Sequence, residues 1–438
     1  MDRQKLVVIS MDALVYEDIQ YLAQQGSFRW LIENGAMVKR MRSIYPTLTY
    51  PCHVTMATGC YPDKHGVVNN TEHIVGEKNP PWLFEHTHVR CSDIFDACKK
   101  YGLTTAAVGW PVTGNHPAVD YLVDECWPYN GIDEDAYREA YLKTGTSEKL
   151  FREVIEPVLQ MRIGRKQPES SFFLTHISAE IIRRYQPDIL MMHQGNVDSF
   201  RHKTGVCSTK VEEGLRQCEE MLAEIIQATK DAGVFEQTNF VVTADHGHLN
   251  TSRTVHINAL LVDKGFIDVD SLGQVVSWRA YCFPTGMSAQ VYLHDSADIK
   301  LYESVHTLLN ECCDSGLWGI SKVYTREEVS EEEHLDGSFS FILETDNTTS
   351  FGLEWLGPFA CPYPSDKTGC VGGNHGYHPE KGMCPPLLAC GPSVERGVVL
   401  PSANLVDGAP TYAKLLNVML QESDGIALTE LIKTGGDN

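Results

Sequence analysis

The sequence predicts an α/β protein with a mostly parallel central sheet that is flanked by helices. Short apolar runs alternate with helical segments along most of the chain, which is typical of strands joined by helical crossovers. Several of these runs end close to an aspartate or a histidine. The length of 438 residues is long for one small domain and short for three independent ones.

The predicted elements are strands at 6–10, 104–109, 187–192, 239–243 and 386–388, and helices at 91–101, 209–232 and 410–420. Gly102 and Gly233 directly follow two of the predicted helices, at a position where glycine commonly ends a helix. The longest helix carries Val211, Leu215 and Leu222 on one face. We therefore expect that helix to pack its apolar face on the sheet.

The alternation of strands and helices breaks after about residue 251. Short alternating strands are predicted at 288–293 and 338–343, and the acidic run at 327–333 is expected to be a solvated face. We interpret residues 251–370 as an inserted lid or smaller α+β subdomain within a single domain of residues 1–438.

The charge balance opposes binding to nucleic acid polymers or anionic lipid. Thirty-six Lys and Arg residues face 58 Asp and Glu residues, giving a formal net charge of −22, whereas such partners are bound by clustered cations. A small phosphate-bearing substrate stays possible, because one local cationic site can override the overall charge. The oligomeric state is left open.

No apolar run reaches the ~20 residues that span a bilayer, and the run at 6–9 is too short for a signal peptide. The 14 cysteines are irregularly spaced, and neither Cys361 with Cys370 nor Cys384 with Cys390 has zinc-ribbon spacing. We therefore expect a cytoplasmic protein with reduced thiols and no membrane partner.

Metal-capable side chains follow four apolar or glycine-flanked segments. They are Asp12, Asp198 with His202, Asp245 with His246, and His375. Ligand sites in parallel sheets form outside the carboxyl ends of the strands, so we expect these side chains to converge. Three aspartates and three histidines suit zinc, and two sets of three suit a two-metal centre, although other divalent metals stay possible.

Each of these residues also has a structural explanation when taken alone. Asp12 has the position of a helix N-cap. Asp198 and His202 have the spacing of an exposed i, i+4 pair. Other histidines, such as His193 and His86, are assigned to the core or the surface. The combined pattern carries the prediction.

Thr49 is the candidate nucleophile. Pro51 closely follows it, which is typical of the start of a helix, with Thr49 at or beside the N-cap. A threonine there either caps the helix or presents its hydroxyl where free N–H groups and the helix dipole favour an anion.

These motifs together resemble the nucleotide pyrophosphatase/phosphodiesterase family, the type I phosphodiesterases of the alkaline phosphatase superfamily. The matching motifs are Ser10-Met11-Asp12, Thr49-Tyr50-Pro51, Tyr61-Pro62, His65-Gly66, Trp110-Pro111, Asp198 to His202 with Gly205, Asp245-His246-Gly247 and Asn374-His375-Gly376-Tyr377. The resemblance covers most of the chain, with only a loose match in the insertion. It implies an alkaline-phosphatase-like fold and a metal-dependent hydrolase of phosphodiester or pyrophosphate bonds.

The resemblance also implies residue roles. Asp198, His202 and His375 would hold one zinc ion. Asp12, Asp245 and His246 would hold the other, with Thr49 as the nucleophile on that ion and a phospho-threonine intermediate. Asn70 resembles the asparagine that binds a phosphate oxygen. Tyr50 and Tyr129 resemble residues that stack on a nucleobase, and packing is the alternative for both.

Three departures from the family pattern lie in these motifs: Leu48 replaces a lysine, Cys52 replaces an asparagine, and His378 replaces an acidic or amide residue. They are expected beside the phosphate pocket, where they bear on nucleotide preference. A sulfatase is excluded, because Cys52 is not followed by the residues that conversion to formylglycine needs. A phosphomonoesterase, a phosphonate hydrolase and a non-catalytic metal- or anion-binding protein remain alternatives.

Overall fold

The central sheet of the computed structural model has eight strands. They are β1 (Lys5–Met11), β2 (Ala36–Val38), β3 (Thr105–Val108), β4 (Tyr121–Val123), β5 (Ile189–Gln194), β6 (Thr238–Thr243), β7 (Leu387–Cys390) and β8 (Val399–Leu400). Their order across the sheet is β8-β2-β7-β6-β1-β5-β3-β4. The structure describes residues 3–128, 133–162, 164, 166–364 and 371–433.

Strand β1 occupies the middle of the sheet. It pairs in parallel with β5 on one side and with β6 on the other, so that Val8 lies opposite both Met191 and Val241. Only β7 runs against its neighbours, β6 and β2. The predicted α/β fold with a mostly parallel sheet is therefore confirmed.

Both faces of the sheet are buried. Val7 and Ile9 contribute to the apolar core on one face, and Leu6 and Val8 to the core on the other, because successive side chains on a strand point to opposite faces. The first face is covered by helices Gly26–Asn34, Glu134–Lys143, Glu169–Tyr185 and Thr209–Asp231, and the second by helices Thr49–Thr58, Ile94–Lys100 and Gly408–Leu416.

The helix predicted over 91–101 begins later than expected, at Ile94. Asp93 is its N-cap, because the Asp93 side chain accepts hydrogen bonds from the backbone N–H groups of Phe95 and Asp96. The last predicted helix ends at Leu416 rather than at residue 420, because Asn417 adopts a left-handed conformation with φ 55°.

The inserted region contains a separate sheet. Its antiparallel strands are Ala280–Pro284, Ser288–Leu293, Phe341–Thr345 and Ile320–Thr325, in that spatial order, and its helices include Ile299–Ser315 and Arg326–Glu333. Val291, Leu309 and Phe341 belong to a hydrophobic cluster distinct from those of the central sheet. The limits 251–370 and the lid role stay a prediction.

The acidic run forms the helix Arg326–Glu333, and its last residue is not solvated as expected. Glu333 is buried, forms an ion pair with Arg42 at 2.8 Å, and lies 3.0 Å from Nε2 of His378. These contacts attach the helix to residues outside 251–370. No helix among the described residues has both the length and the apolar character needed to cross a membrane.

Candidate active site

The predicted metal-capable side chains meet at the carboxyl edge of the central strands. Asp12 directly follows β1, and Asp245 and His246 follow β6. Asp198 and His202 lie on helix Asn196–Thr204, which begins just after β5. His375 follows the short strand Gly372–Asn374.

Thr49 is the first residue of helix Thr49–Thr58, and Leu48 occupies the N-cap without a side-chain cap. The Thr49 hydroxyl is therefore not used for capping. Its Oγ1 atom lies 3.3 Å from Nε2 of His246. The helix thus places a hydroxyl beside the first group of metal-capable residues.

This first group consists of Asp12, Asp245 and His246. Nε2 of His246 lies 3.1 Å from Oδ2 of Asp245 and 3.6 Å from Oδ1 of Asp12. Oδ1 of Asp245 accepts hydrogen bonds from the backbone N–H groups of Ala13 and His246. The converging oxygens, Asp12 Oδ1 and Asp245 Oδ2, are buried and have no hydrogen-bond partner among the described residues.

Burial and mutual repulsion disfavour the ionised forms of these two carboxyl groups. Burial, followed by the charges of Asp245 and Asp198, raises the pKa of Asp12 well above its usual range. Burial, together with the charge of Asp198, raises the pKa of Asp245 to about 7. A bound cation would reverse both effects by compensating the negative charge.

A second group surrounds Oδ1 of Asp198. Nε2 atoms of His248, His202 and His375 lie 2.8, 3.2 and 3.7 Å from this oxygen. Nδ1 of His202 is 2.9 Å from the carbonyl oxygen of Gly373, and Nδ1 of His375 is 2.9 Å from that of Thr47. Carbonyl oxygens only accept, so both rings carry a proton on Nδ1 and direct Nε2 at Asp198.

The two groups fit metal ions in their chemistry. Each combines carboxylate oxygens with imidazole nitrogens close together, and the first leaves buried acceptor atoms without partners. The fixed Nδ1 protons of His202 and His375 are the arrangement that metal-binding histidines usually show. Nitrogen and oxygen donors of this kind suit zinc.

Sequence reasoning missed two histidines at the site. His248 touches Asp198, and Nε2 of His193 lies 3.1 Å from Oδ2 of Asp12. The assignment of His193 to the core or the surface overlooks its position near the carboxyl end of β5. For His248, the available signal was its position two residues after His246.

A cavity of about 490 Å³ opens in front of Thr49 and the metal-capable residues. Its lining includes Thr49, Asn70, Trp82, Trp127, Arg162 and Lys203. The two tryptophan rings are 5.4 Å apart at their centroids and nearly perpendicular. The cavity thus combines an aromatic wall with two cationic side chains and, besides the metal-capable aspartates, one acidic side chain, Glu125.

Asn70 is held beside the nucleophile, since its Oδ1 accepts a hydrogen bond of 2.9 Å from the backbone N–H of Tyr50. The Tyr50 ring is fully buried and contacts Trp82 edge-on at 5.1 Å. Tyr50 therefore packs against Trp82 and does not itself line the cavity, whereas Trp82 and Trp127 do. A role of Tyr50 in stacking on a base stays a prediction. Tyr129 lies outside the described residues, as does Cys370.

The three departures from the family pattern do not line the cavity. Leu48 and Cys52 are buried in the core. His378 lies between the insertion and the central domain, where it contacts Glu333 and packs 5.3 Å from the Tyr45 ring. Their expected position beside the phosphate is therefore corrected.

A buried ion pair connects the two halves of the site. Nη2 of Arg201 lies 2.7 and 2.8 Å from the two carboxylate oxygens of Asp18, and Nη1 donates to the carbonyl oxygen of Ala13. Arg201 precedes His202, and Ala13 follows Asp12. This pair therefore fixes helix Asn196–Thr204 against the end of β1.

A third group of metal-capable residues, His86, Asp93, Asp96 and His116, has structural roles. Asp93 caps a helix, and Nδ1 of His116 accepts the backbone N–H of Ala118. The neutral His116 ring therefore carries its proton on Nε2, which lies 2.9 Å from Asp93. That proton occupies the nitrogen that a metal would need.

Among curated proteins, the chain is 25% identical to ectonucleotide pyrophosphatase/phosphodiesterase family member 3 of Rattus norvegicus over 263 residues, which are 57% of this chain and 26% of that protein. It is 22% identical to family member 5 of Homo sapiens over 435 residues, which are 97% of this chain and 76% of that protein. The chain thus spans about a quarter of the first relative's length, 26%.

The fold is similar to that of murine family member 5, with a TM-score of 0.66 and 18% identity over 98% of this chain and all of the other. A second murine structure, described as an inactive threonine-to-alanine variant in complex with AMP, has the same TM-score of 0.66 and 17% identity over 98% of this chain and all of the other. The alkaline-phosphatase-like fold predicted from the sequence is confirmed by these neighbours.

The expected cytoplasmic location is contradicted by these relatives, because their names describe them as ectonucleotide enzymes. The apolar run at residues 6–9, on which that expectation partly rested, is part of core strand β1. A buried strand carries no information on location.

The model of the type I phosphodiesterase / nucleotide pyrophosphatase family matches residues 6–378. This match includes every predicted metal-capable residue and Thr49. The chain therefore belongs to the type I phosphodiesterase / nucleotide pyrophosphatase family, a family of hydrolases.

Proposed function

We propose that this protein hydrolyses phosphodiester or pyrophosphate bonds in small nucleotide-like substrates through a phospho-threonine intermediate on Thr49. The observation that carries the proposal is the convergence of the Thr49 hydroxyl with both metal-capable groups at the floor of one cavity. The AMP complex of the murine relative's threonine variant adds support from a protein of the same family.

Asp12, Asp245 and His246 would hold one zinc ion beside Thr49, and Asp198, His202 and His375 would hold the other. When bound, two such ions supply positive charge that lowers the pKa of nearby oxygens and neutralises charge on the phosphate. The donor set carries three carboxylates, so the bound pair leaves a local positive charge in a protein of net charge −22. This local charge explains how an acidic chain attracts an anion.

In the first step, Oγ1 of Thr49 gives its proton to solvent and forms a bond to phosphorus, while the leaving oxygen departs with the electron pair of the bond that breaks. In the second, water attacks the phospho-threonine, the bond to Oγ1 breaks, a proton of that water returns to Oγ1, and the phosphate or phosphomonoester product leaves. Covalent catalysis of this kind divides one difficult displacement into two. The position of Thr49 at the start of a ten-residue helix adds the helix dipole, which favours an anion there.

Asn70 would donate a hydrogen bond to a phosphate oxygen. Its Oδ1 is already engaged by the backbone N–H of Tyr50, so Nδ2 is the group that remains for a ligand. Because Oδ1 fixes the amide, Nδ2 is oriented before the substrate binds, which is the condition under which such donors stabilise a transition state.

The residues that line the cavity favour a substrate with a nucleotide-like group. That group can be either the leaving group or the part that stays on phosphorus. Trp82 and Trp127 offer aromatic surface beside Thr49, while Arg162 and Lys203 offer positive charge. Base stacking on aromatic side chains contributes about 1–3 kcal/mol. A simple phosphomonoester has no base that could stack on the tryptophans. It would contact only some of the cationic side chains.

The test compares bis-p-nitrophenyl phosphate, p-nitrophenyl phosphate and the p-nitrophenyl ester of thymidine 5′-monophosphate, with the zinc content of each preparation measured. We expect the highest kcat/KM for the thymidine diester and the lowest for the monoester. Rapid acid quenching with the thymidine diester, followed by mass spectrometry, should find thymidine monophosphate joined through its phosphorus to Oγ1 of Thr49 on the peptide that contains this residue. A preference for the monoester, or turnover that survives Thr49→Ala, would contradict the proposal.

A further inference from the structure

We infer that His248 is a fourth protein ligand of the metal ion held by Asp198, His202 and His375. The inference rests on the proposed two-metal site and extends it. Nε2 of His248 lies 2.8 Å from Oδ1 of Asp198, closer than the corresponding atom of either predicted histidine ligand. The imidazole is almost fully buried, with 1% of His248 exposed.

The local strand pairing brings His248 to the site together with His375. Strand Leu249–Thr251 pairs antiparallel with Gly372–Asn374, and Leu249 lies opposite Asn374. His248 precedes the first strand and His375 follows the second, so the same pairing places the two histidines side by side. Their ring centroids are 5.1 Å apart.

The two paired strands, Leu249–Thr251 and Gly372–Asn374, form a ribbon. Two glycines permit this ribbon to approach the helix that carries Asp198 and His202. A Cβ atom on Gly373 would lie 2.9 Å from Nδ1 of His248 and 2.7 Å from the backbone oxygen of Arg201. A Cβ atom on Gly372 would lie 2.6 Å from the backbone oxygen of His202. Any larger residue at either position would push the ribbon and its histidines away from Asp198.

A role as a simple hydrogen-bond donor to Asp198 explains the arrangement less well. His202 and His375 carry their protons on Nδ1 and therefore direct Nε2 lone pairs at Oδ1 of Asp198, an atom that has only lone pairs of its own to offer. A cation among them would instead accept a lone pair from each nitrogen. Nδ1 of His248 has no hydrogen-bond partner among the described residues, so no neighbouring group fixes the tautomer against metal binding.

The consequence is an unequal pair of metal positions. Three histidines and one aspartate would give the ion near Asp198 four protein donors, which is the number found in closed zinc sites. The ion near Thr49 would have Asp12, Asp245 and His246, with Thr49 and the substrate as further donors. We therefore expect the ion near Asp198 to leave more slowly when a chelator is added.

The test uses Co²⁺ as the probe, loaded into the metal-free protein. The informative variant is His248→Cys, because a thiolate bound to Co²⁺ gives an intense charge-transfer band in the near ultraviolet, whereas an unbound thiol gives none. His202→Cys is the positive control. His193→Cys is the matched negative control, since His193 is also buried and contacts a metal-capable carboxylate, Asp12.

We expect the band in His248→Cys and His202→Cys and its absence in His193→Cys. In His248→Gln, which keeps a hydrogen-bond donor but is a poor ligand, we expect the visible Co²⁺ spectrum to change and one ion to be lost to chelator at least 10-fold faster. A folded His248→Cys protein that binds two Co²⁺ ions without the band, together with an unchanged His248→Gln spectrum, would overturn the inference. Failure of the unaltered protein to bind Co²⁺ would overturn the proposed two-metal site as well.

Discussion

Oγ1 of Thr49 and Nε2 of His246 lie 3.3 Å apart, although Thr49 begins a helix on one face of the sheet and His246 follows strand β6. Leu48 and not Thr49 occupies the N-cap of this helix. The Thr49 hydroxyl therefore has no capping role and is available for the chemical role proposed above.

Replacing Thr49 by alanine should remove the nucleophile while leaving the metal-capable residues in place. We expect kcat for the thymidine diester to fall by roughly three orders of magnitude or more, as for other enzymes that lose a nucleophile. Zinc content and AMP binding should be largely retained. Thr49→Ser is the matched control, because it keeps the hydroxyl. Loss of bound zinc in Thr49→Ala would mean that the residue serves the metal site rather than the reaction.

Replacing Asn70 by alanine should lower kcat by roughly 10²–10³-fold, the effect of losing one donor to a transition-state oxygen. Asn70→Ala also removes the acceptor for the backbone N–H of Tyr50, so some loss of stability is expected too. Asn70→Asp separates the two roles, because it keeps that acceptor and removes the donor. Its melting temperature should stay near that of the unaltered protein while kcat falls. Equal activity of Asn70→Asp and the unaltered protein would count against a donor role.

Replacing Trp127 by alanine should weaken binding of substrates that carry a base. The loss of one stacking surface corresponds to about 1–3 kcal/mol, or roughly a 5- to 150-fold increase in KM for the thymidine diester. Hydrolysis of methyl p-nitrophenyl phosphate, which has no base, is the comparison. Trp127→Phe retains an aromatic ring against Trp82 and Phe84 and should recover most of the affinity. Equal losses on both substrates would indicate a general packing defect.

In the metal-free protein, the contribution of Asp12 and Asp245 to stability should fall as pH rises. Burial raises the pKa of Asp245 to about 7 and that of Asp12 well above its usual range, so the folded protein retains protons that the unfolded chain has released. The contribution of these two groups to stability therefore falls as pH increases from about 4 to about 7. Zinc replaces these protons, so its stabilising effect should increase over the same range. Thermal melting between pH 5 and 8, with and without zinc and with Asp245→Asn as the comparison for the metal-free protein, measures both trends, and a pH-independent effect of zinc would disagree with them.

Breaking the Arg201–Asp18 pair should lower the free energy of unfolding and should also weaken zinc binding. Arg201→Met leaves the Asp18 carboxylate buried without its cation, a change that typically costs about 3–5 kcal/mol. The double variant Arg201→Met with Asp18→Leu removes both charges and should recover part of this loss. Denaturant unfolding gives the stability, and competition with a chelator gives the zinc affinity. A normal zinc affinity in a destabilised Arg201→Met protein would show that the pair does not position the metal donors.

Much of the fold could be predicted because its signals are local. The apolar residues of β1, β5 and β6 form continuous runs, as strands buried on both faces must, and Asp12, Asp245 and His375 stand beside such runs or between glycines. Element ends were harder, because the capping side chain of Asp93 and the left-handed backbone of Asn417 decide them.

The parts that could not be predicted depend on contacts between distant segments. His248 reaches Asp198 only because its strand pairs with Gly372–Asn374. The buried position of Tyr50 depends on which face of its helix meets the sheet, and Glu333 is buried because Arg42 and His378 come to it. Charge and spacing alone do not contain this information.

The wall of the cavity and its floor are supplied by different parts of the chain. Trp82, Trp127 and Arg162 line the wall, whereas the metal-capable donors lie at strand ends, beside the paired strands and on helix Asn196–Thr204, and Thr49 is the first residue of its helix. Changes of substrate preference, toward another alcohol or base, can therefore be sought by substituting the wall residues. The metal-capable residues and Thr49 would have to be kept.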